Sequence, residues 1–351
     1  MRIALAGAGN IADRYAAAIV DANGLELAGA TDPVVARAAA LVGARGGIVY
    51  PALEDLLADD EVDTVVNLTS PEAHFGVTAA ALEAGKHVHT EKPLALAHQE
   101  GQALVERART NGVRLSSAPA TLLGEAQQTL WKLVREGAIG RVRVVYAEAN
   151  WDRLERWHPD PRSLYAVGPL IDVGVYPLTI VTALFGPVRR VQAYATTLER
   201  DRTLLDGTPF TPGAPDFTVA VLEHEDGVVT RLTASFYVGP SKQRGLELHG
   251  DTGSLWLPTW AEANSRVQLQ PRGGEYETIP PVRPPFEGID WSRALVDLAE
   301  AIDEGRPHRS TGEHAAHVIE VFDAARMSLT DGGAVDVTSS FARPEPMAWA
   351  R

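Results

Sequence analysis

"RIALAGAGNIADRYAAAIVDA", residues 2 to 22, decides how the first third of the chain folds. A short apolar run, "RIALA", enters Gly7, Ala8, Gly9, Asn10, Ile11 and Ala12, and an alanine-rich stretch with helical spacing follows. This is G-x-G-x-x-A between a strand and a helix. In that setting the first glycine permits a tight turn, the second lets backbone approach a pyrophosphate, and a small third residue lets helix and strand pack closely. Backbone N–H groups at the helix start, over Gly9, Asn10 and Ile11, then face an anion. The pattern predicts a dinucleotide site built from Gly7, Gly9, Asn10 and Ile11.

Working outward, short apolar runs keep alternating with helical stretches: "LELAGATD" before "PVVARAAALVG", "VDTVVNLTS" before "HFGVTAAALEAG", "KHVHTEK" before "HQEGQALVERARTNG", and "VRLSSAP" to close. That rhythm predicts a doubly wound parallel sheet, a Rossmann domain over residues 1–120. Asp32 ends the second strand, where an acidic residue binds a ribose 2'-hydroxyl and repels a 2'-phosphate, so NAD is favoured; Arg37, one turn later, leaves NADP possible. Thr69, Ser70 and Pro71 end the fourth strand, on the edge where open α/β sheets bind ligand, and His74, Glu91 and Lys92 are counted with them as cofactor-binding candidates. The Thr69/Glu72 spacing also predicts a capping box with proline in the first turn.

From residue 121 to 351 the pattern changes to longer alternating segments, with hairpins expected at "EDG" (225–227) and "DTG" (251–253). A second domain built on a large, mostly antiparallel open sheet is the expectation, for substrate binding and oligomerisation. "DRTLLDGTPFTPGAPD", residues 201–216, reads as a surface loop.

The bulk properties narrow the function. A net charge of −14 over 351 residues, without a basic run, argues against nucleic acid and anionic membranes. There is no cysteine, so disulfides and thiolate chemistry are excluded. No stretch has the length of a membrane span or signal region, and a cytoplasmic location is expected. His308, His314 and His317 lack a convincing further ligand, while Ser310 and Glu313 look like a capping box, so no metal is expected.

The chain has 28 arginines and four lysines, yet keeps lysine at 92, in "HTEKPLAL" (89–96), on the ligand edge of the sheet. Pro93 restrains Lys92 to extended backbone. A partly buried lysine exchanges a proton where arginine stays charged. Further on, Asp172 and Tyr176 in "GPLIDVGVYPL" share a face if a helix runs through them, and Pro177 argues that the regular helix starts near Tyr176.

"GAGNIA", "EKP" and "GPLIDVGVYPL", in that order, resemble the glucose-fructose oxidoreductase / inositol dehydrogenase / rhizopine-catabolism family. The resemblance implies Lys92, Asp172 and Tyr176 as catalytic residues, with tyrosine where inositol-dehydrogenase-like members carry histidine. It also implies an NAD(P)-dependent dehydrogenase acting on the CH–OH group of a sugar, glycoside or polyol. Asp172 either orients Lys92 or binds a second substrate hydroxyl. The stretch "NWDRLERWHPDPRSLYAVG" (150–168) offers flat aromatic faces and polar groups suited to a sugar, giving Trp151, Arg153, Trp157, His158 and Tyr165 as substrate-binding candidates. Rival readings are a redox-neutral, NAD-dependent glycoside hydrolase or lyase and a non-catalytic NAD-binding sensor. A homodimer or homotetramer through the second domain is expected.

Overall fold

The computed structural model describes residues 1–351. In chain order the elements are β1 (Arg2–Ala6), α1 (Ala12–Asp21), β2 (Glu26–Thr31), α2 (Val35–Arg45), β3 (Ile48–Val49), α3 (Leu53–Leu57), β4 (Thr64–Asn67), α4 (Pro71–Glu83), β5 (His87–Thr90), α5 (His98–Thr110) and β6 (Leu115–Ser117). There follow α6 (Glu125–Arg135), β7 (Val142–Asn150), α7 (Arg162–Val167), α8 (Pro169–Asp172), α9 (Val175–Phe185), β8 (Val188–Thr196), β9 (Arg202–Thr203), β10 (Pro209–Phe210), β11 (Phe217–His224), β12 (Val229–Ser235), β13 (Gly245–Gly250), β14 (Gly253–Leu257), β15 (Gln268–Pro271) and β16 (Glu277–Thr278). The chain closes with α10 (Arg293–Asp303), α11 (Gly312–Asp331) and β17 (Val335–Asp336).

Two compact units emerge, residues 1–120 with 290–319, and residues 121–289 with 320–351. In the first, six strands pair in the order β3-β2-β1-β4-β5-β6, all parallel. Parallel strands buried on both faces need apolar residues at every position, which is why β1 reads as a continuous run. Ile3 and Leu5 join Tyr15, Ala16 and Ile19 of α1 in one core, while Ala4 and Ala6 join Leu82 of α4 and Leu104 of α5 in the other.

The sequence division put everything after residue 120 in the second domain, but 290–319 packs with the first unit. Leu295 of α10 enters the core that holds Ile3, and Ala316 and Ile319 enter the core that holds Leu104. Thr311 bridges Ser116 of β6, and Gly101 of α5 lies so close to Ala316 that an added Cβ would stand 3.3 Å from its side chain. Periodicity cannot report this, because a helix pattern states that a face is buried without stating against what. The box expected from Ser310 and Glu313 is absent: Thr311 Oγ1 accepts the His314 N–H (3.3 Å) instead.

In the second unit nine strands order as β16-β15-β14-β13-β7-β12-β11-β8-β17, with β7 and β12 the one parallel pair. Both expected hairpins form, β11 with β12 and β13 with β14. Gly227 supplies positive φ (80°) at the first. At the second, Gly253 serves close approach instead, since a Cβ there would come within 2.4 Å of Gln270 O across the pair with β15.

The stretch 201–216, expected as a surface loop, is anchored by a buried ion network. The Arg202 side chain has no exposed surface and pairs with Glu155 (2.6 Å) and Asp216 (2.5 Å), while Tyr165 donates its hydroxyl to Glu155 (2.5 Å). Asp216 also accepts backbone N–H groups from Leu198 (2.7 Å) and Glu199 (3.3 Å). Replacing Arg202 by Met strands two buried carboxylates. We expect Arg202→Met to lower the unfolding free energy by about 3–5 kcal/mol in urea titrations; a loss below about 1 kcal/mol would contradict the network's role.

Candidate functional site

The glycine loop sits where the strand order of the parallel sheet reverses, between β1 and β4. Gly7 has φ 103°, and a Cβ on it would lie 2.8 Å from the backbone C and O of Leu68, just past β4. Both the turn and the crossing require glycine. At Gly9 nothing lies within 4 Å of a built Cβ and φ is not positive. Neither packing nor conformation inside the chain asks for glycine there, whereas a ligand pressed onto the backbone does. α1 begins beyond it at Ala12, preceded by Ile11, with no side chain capping its amides. Ala12 is buried in the core holding Ile3 and Leu5, in keeping with its expected packing role.

Asp32 stands at the end of β2, buried, with one oxygen accepting the Ala8 N–H (2.8 Å) and the other the Val34 N–H (2.8 Å). The carboxylate therefore clamps the glycine loop. Each oxygen keeps a further lone pair, so hydroxyl donors from a ribose can still bind.

At the end of β4, Thr69 donates its hydroxyl to Asn67 Oδ1 (2.6 Å). Ser70, not Thr69, is the residue preceding α4, with Pro71 in the first turn and no side-chain cap, so the Thr69/Glu72 box does not form. Glu72 is instead held below the usual carboxylate range by its own backbone N–H and then by the Ser70 hydroxyl. His74, expected to touch the cofactor, is 1% exposed, and its ring nitrogens face Pro93 O (2.7 Å) and Thr69 O (3.1 Å). It ties the ends of β4 and β5 together from beneath.

Lys92 follows β5 and is half-buried, and the Lys92–Pro93 peptide is cis. Its backbone N–H is taken by Glu91 Oε2 (3.1 Å), whose other oxygen accepts the Tyr15 hydroxyl (2.7 Å). Glu91, another expected cofactor ligand, thus fixes the backbone beside Lys92 to α1. His89, one turn of strand earlier, bonds Ser116 Oγ (2.9 Å), and complete burial pushes its imidazole down to about 3, leaving it neutral. Tyr15 and His89 carry no motif. Only their contacts reveal them.

The second unit carries Asp172 and Tyr176, and here the helix is broken. Asp172 ends α8, and α9 starts at Val175, so the two do not share one continuous helix. The start of α9 matches the position that Pro177 imposes. Gly174 makes the break possible, as a Cβ there would lie 2.4 Å from Leu170 O. The Tyr176 ring stacks on Trp260, centroids 4.8 Å apart and planes 24° apart, and Trp151 leans on the same indole (5.9 Å, 34°). Trp260 lies after β14 in a segment without motif, which sequence reasoning passed over.

The loop after β7 is pinned at its start, where Trp151 N–H donates to Ser235 O (2.9 Å) and Asp152, at φ 59°, donates to Val238 O (3.0 Å). Trp151 and Trp157 are exposed, and His158 packs edge-on against Trp157 (5.5 Å). Arg153 pairs with Glu199 (2.7 Å) and lies over the Tyr237 ring (4.3 Å). Tyr165 departs from expectation: it is 1% exposed, with its hydroxyl bound to Glu155 and Arg202, and burial holds its phenol above the usual range. It belongs to the core of the second unit.

Residues 1–118 match the model of an oxidoreductase family with an NAD-binding Rossmann fold, and residues 127–256 match that of the GFO/IDH/MocA C-terminal domain. A 1,5-anhydro-D-fructose reductase of Ensifer adhaerens is 27% identical over 261 residues, 72% of this chain and 74% of the relative. A D-glucoside 3-dehydrogenase of Escherichia coli is 28% identical over 69% of this chain and 72% of the relative. The fold is that of an NAD-binding oxidoreductase from Klebsiella pneumoniae (TM-score 0.84, 22% identity, 97% of this chain and 100% of that one).

The two glycines separate by experiment. Gly9→Ala should leave the melting temperature within about 2 °C of the parent, the usual range of a neutral surface change, while weakening NAD at least about tenfold in calorimetry. Gly7→Ala should cost about 1–3 kcal/mol of stability through strain. Unchanged NAD affinity in Gly9→Ala would remove the ligand-facing role of that residue.

Proposed function

The chain belongs to the Gfo/Idh/MocA family of NAD(P)-dependent oxidoreductases, and from that premise we propose that its substrate is the CH–OH group of a sugar, glycoside or polyol. What carries the reading is Lys92 at the carboxyl end of β5, on the same sheet edge as the glycine loop and Asp32. The ammonium of a half-buried lysine, on a backbone fixed by Glu91, suits an oxygen that gains negative charge as its carbon loses hydride. The sugar and glucoside named for the two relatives support that substrate class.

The Gly7–Ile11 loop and Asp32 would hold the dinucleotide, Asp32 favouring a free 2'-hydroxyl and so NAD over NADP. When bound, the cofactor supplies a nicotinamide that accepts or returns the hydride. Tyr176 as phenolate takes the hydroxyl proton as oxidation proceeds, and as phenol gives it back in reduction. Lys92 stabilises the alkoxide, and Asp172 binds a second hydroxyl. Trp151, Trp157 and His158 offer apolar and polar faces to a sugar ring.

The open face of the nine-stranded sheet supports self-association. Tyr146, Val221 and Tyr194 are exposed, and the cross-strand register Tyr146–Arg231–Val221–Gln192, with Val219–Tyr194 alongside, places them on one face. A second copy of this chain is the proposed cover. Sedimentation should return a dimer or larger, and Tyr194→Asp with Val221→Asp should shift it toward monomer; a monomeric parent at micromolar concentration would remove this proposal.

Absorbance at 340 nm with NAD, and separately NADP, against free sugars, glycosides, polyols and trans-dihydrodiols tests the reaction. A rise with NAD and one sugar class is expected. Lys92→Met should bind NAD as the parent does and lose turnover, and Tyr176→Phe should lower kcat by about 10²–10⁴-fold. A flat trace throughout, with NAD binding intact, would overturn the dehydrogenase in favour of a redox-neutral reaction or a sensor.

A further inference from the structure

We propose that Trp260 is a positioning residue for the reaction, setting the plane and reach of the Tyr176 phenol. The inference rests on the reading of Tyr176 as the proton carrier. Tyr176 sits in the first turn of α9, right after the helix break at Gly174, with its backbone N–H on Val173 O (3.3 Å). A flat ring held against an aromatic side chain limits the rotamers and ring planes open to it. Trp260 supplies a nearly parallel ring at 4.8 Å, within the range of offset aromatic stacking.

The support is itself built in. Trp260 is 8% exposed, and its indole N–H donates to Glu148 O on β7 (3.1 Å). Its carbonyl accepts from Gln127 Nε2 of α6 (3.0 Å), which also bonds Glu262 O (3.1 Å). Ala126 N–H bonds Ala263 O (2.9 Å), so two successive residues of α6 hold the loop bearing the indole. Gln127 is fully buried, although it stands in a stretch whose composition suggests an ordinary amphipathic helix. A ring fixed on a strand and a helix restricts a phenol stacked on it, and misplacing a proton carrier by an ångström lowers turnover by about a hundredfold. Trp151, leaning on the same indole, is exposed and stays available to ligand.

A double-mutant cycle separates this role from a plain packing or sugar-stacking role. With NAD and the sugar of the 340 nm panel that the parent oxidises fastest, Trp260→Leu should lower kcat by about 10- to 100-fold. It should leave NAD affinity unchanged and alter the pH profile of kcat. In a Tyr176→Phe background the same substitution should cost less than about threefold, because the group it positions is gone. Trp260→Phe, which keeps a ring against the phenol, should hold kcat within about threefold of the parent, and it supplies the test where the leucine variant fails to fold. Without substrate, fluorine NMR of 3-fluorotyrosine-labelled protein should show the Tyr176 resonance, identified by its loss in Tyr176→Phe, moving in Trp260→Leu and little in Trp260→Phe. Equal losses from Trp260→Leu in both backgrounds, an effect on KM alone, or a phenyl variant as impaired as Tyr176→Phe would overturn the proposal. A Tyr176→Phe variant with parental kcat would instead overturn the reading of Tyr176 and this inference with it.

Discussion

The first unit depends on one close approach. At Gly7 the chain leaving β1 passes the backbone of Leu68 at a separation that admits a hydrogen but no methyl group. The left-handed turn there lets Ala8 aim its N–H at Asp32, so the carboxylate at the end of β2 becomes the clasp of a loop that begins at β1. The loop is thereby fixed at the point where the strand order of the parallel sheet reverses. The second layer repeats the logic one strand further on, where Tyr15 of α1 holds Glu91 and Glu91 holds the amide of Lys92. Glycine conformation, a clasping carboxylate and a tyrosine–glutamate bond thus act in series along one sheet edge.

Local chemistry was legible in the sequence, and long-range partnership was not. G-x-G-x-x-A announced its turn because the steric demand lies within a few residues of the glycines. The hairpin at residues 225–227 was legible for the same reason, and the start of α9 followed from a single proline. Tyr165 was misjudged because an aromatic residue in a polar loop gives no sign that Arg202, far along the chain, waits to enclose its hydroxyl. His74 follows the end of β4, and nothing in its neighbours in sequence says that its ring turns inward to two carbonyls. Trp260 and Gln127 went unnoticed because neither belongs to a pattern, and their contacts join α6, β7 and the loop after β14.

The scarcity of lysine takes on meaning against the arginines. Arginine fills positions where a fork of donors is used, such as Arg202 between Glu155 and Asp216, or Arg45 on both oxygens of Asp13. Lys86 reaches a single carbonyl, Asp59 O (2.8 Å), and Lys132 meets Glu136 in an i, i+4 pair. At position 92 the chain keeps a compact point of positive charge where Arg202 and Arg45 present a fork.

The return of residues 290–319 to the first unit bears on how the protein is made. The strands of the Rossmann sheet are synthesised before residues 121–319, so its two cores lack Leu295, Ala316 and Ile319 until those residues have emerged from the ribosome. The amino-terminal segment must therefore wait, its apolar surfaces incompletely covered, while residues 121–289 are translated. Maturation of the nucleotide-binding unit is thus gated by translation of residues 290–319. For the same reason the unit cannot be transplanted between genes as a contiguous cassette: a recombination event at residue 120 would leave its last helical packing layer behind.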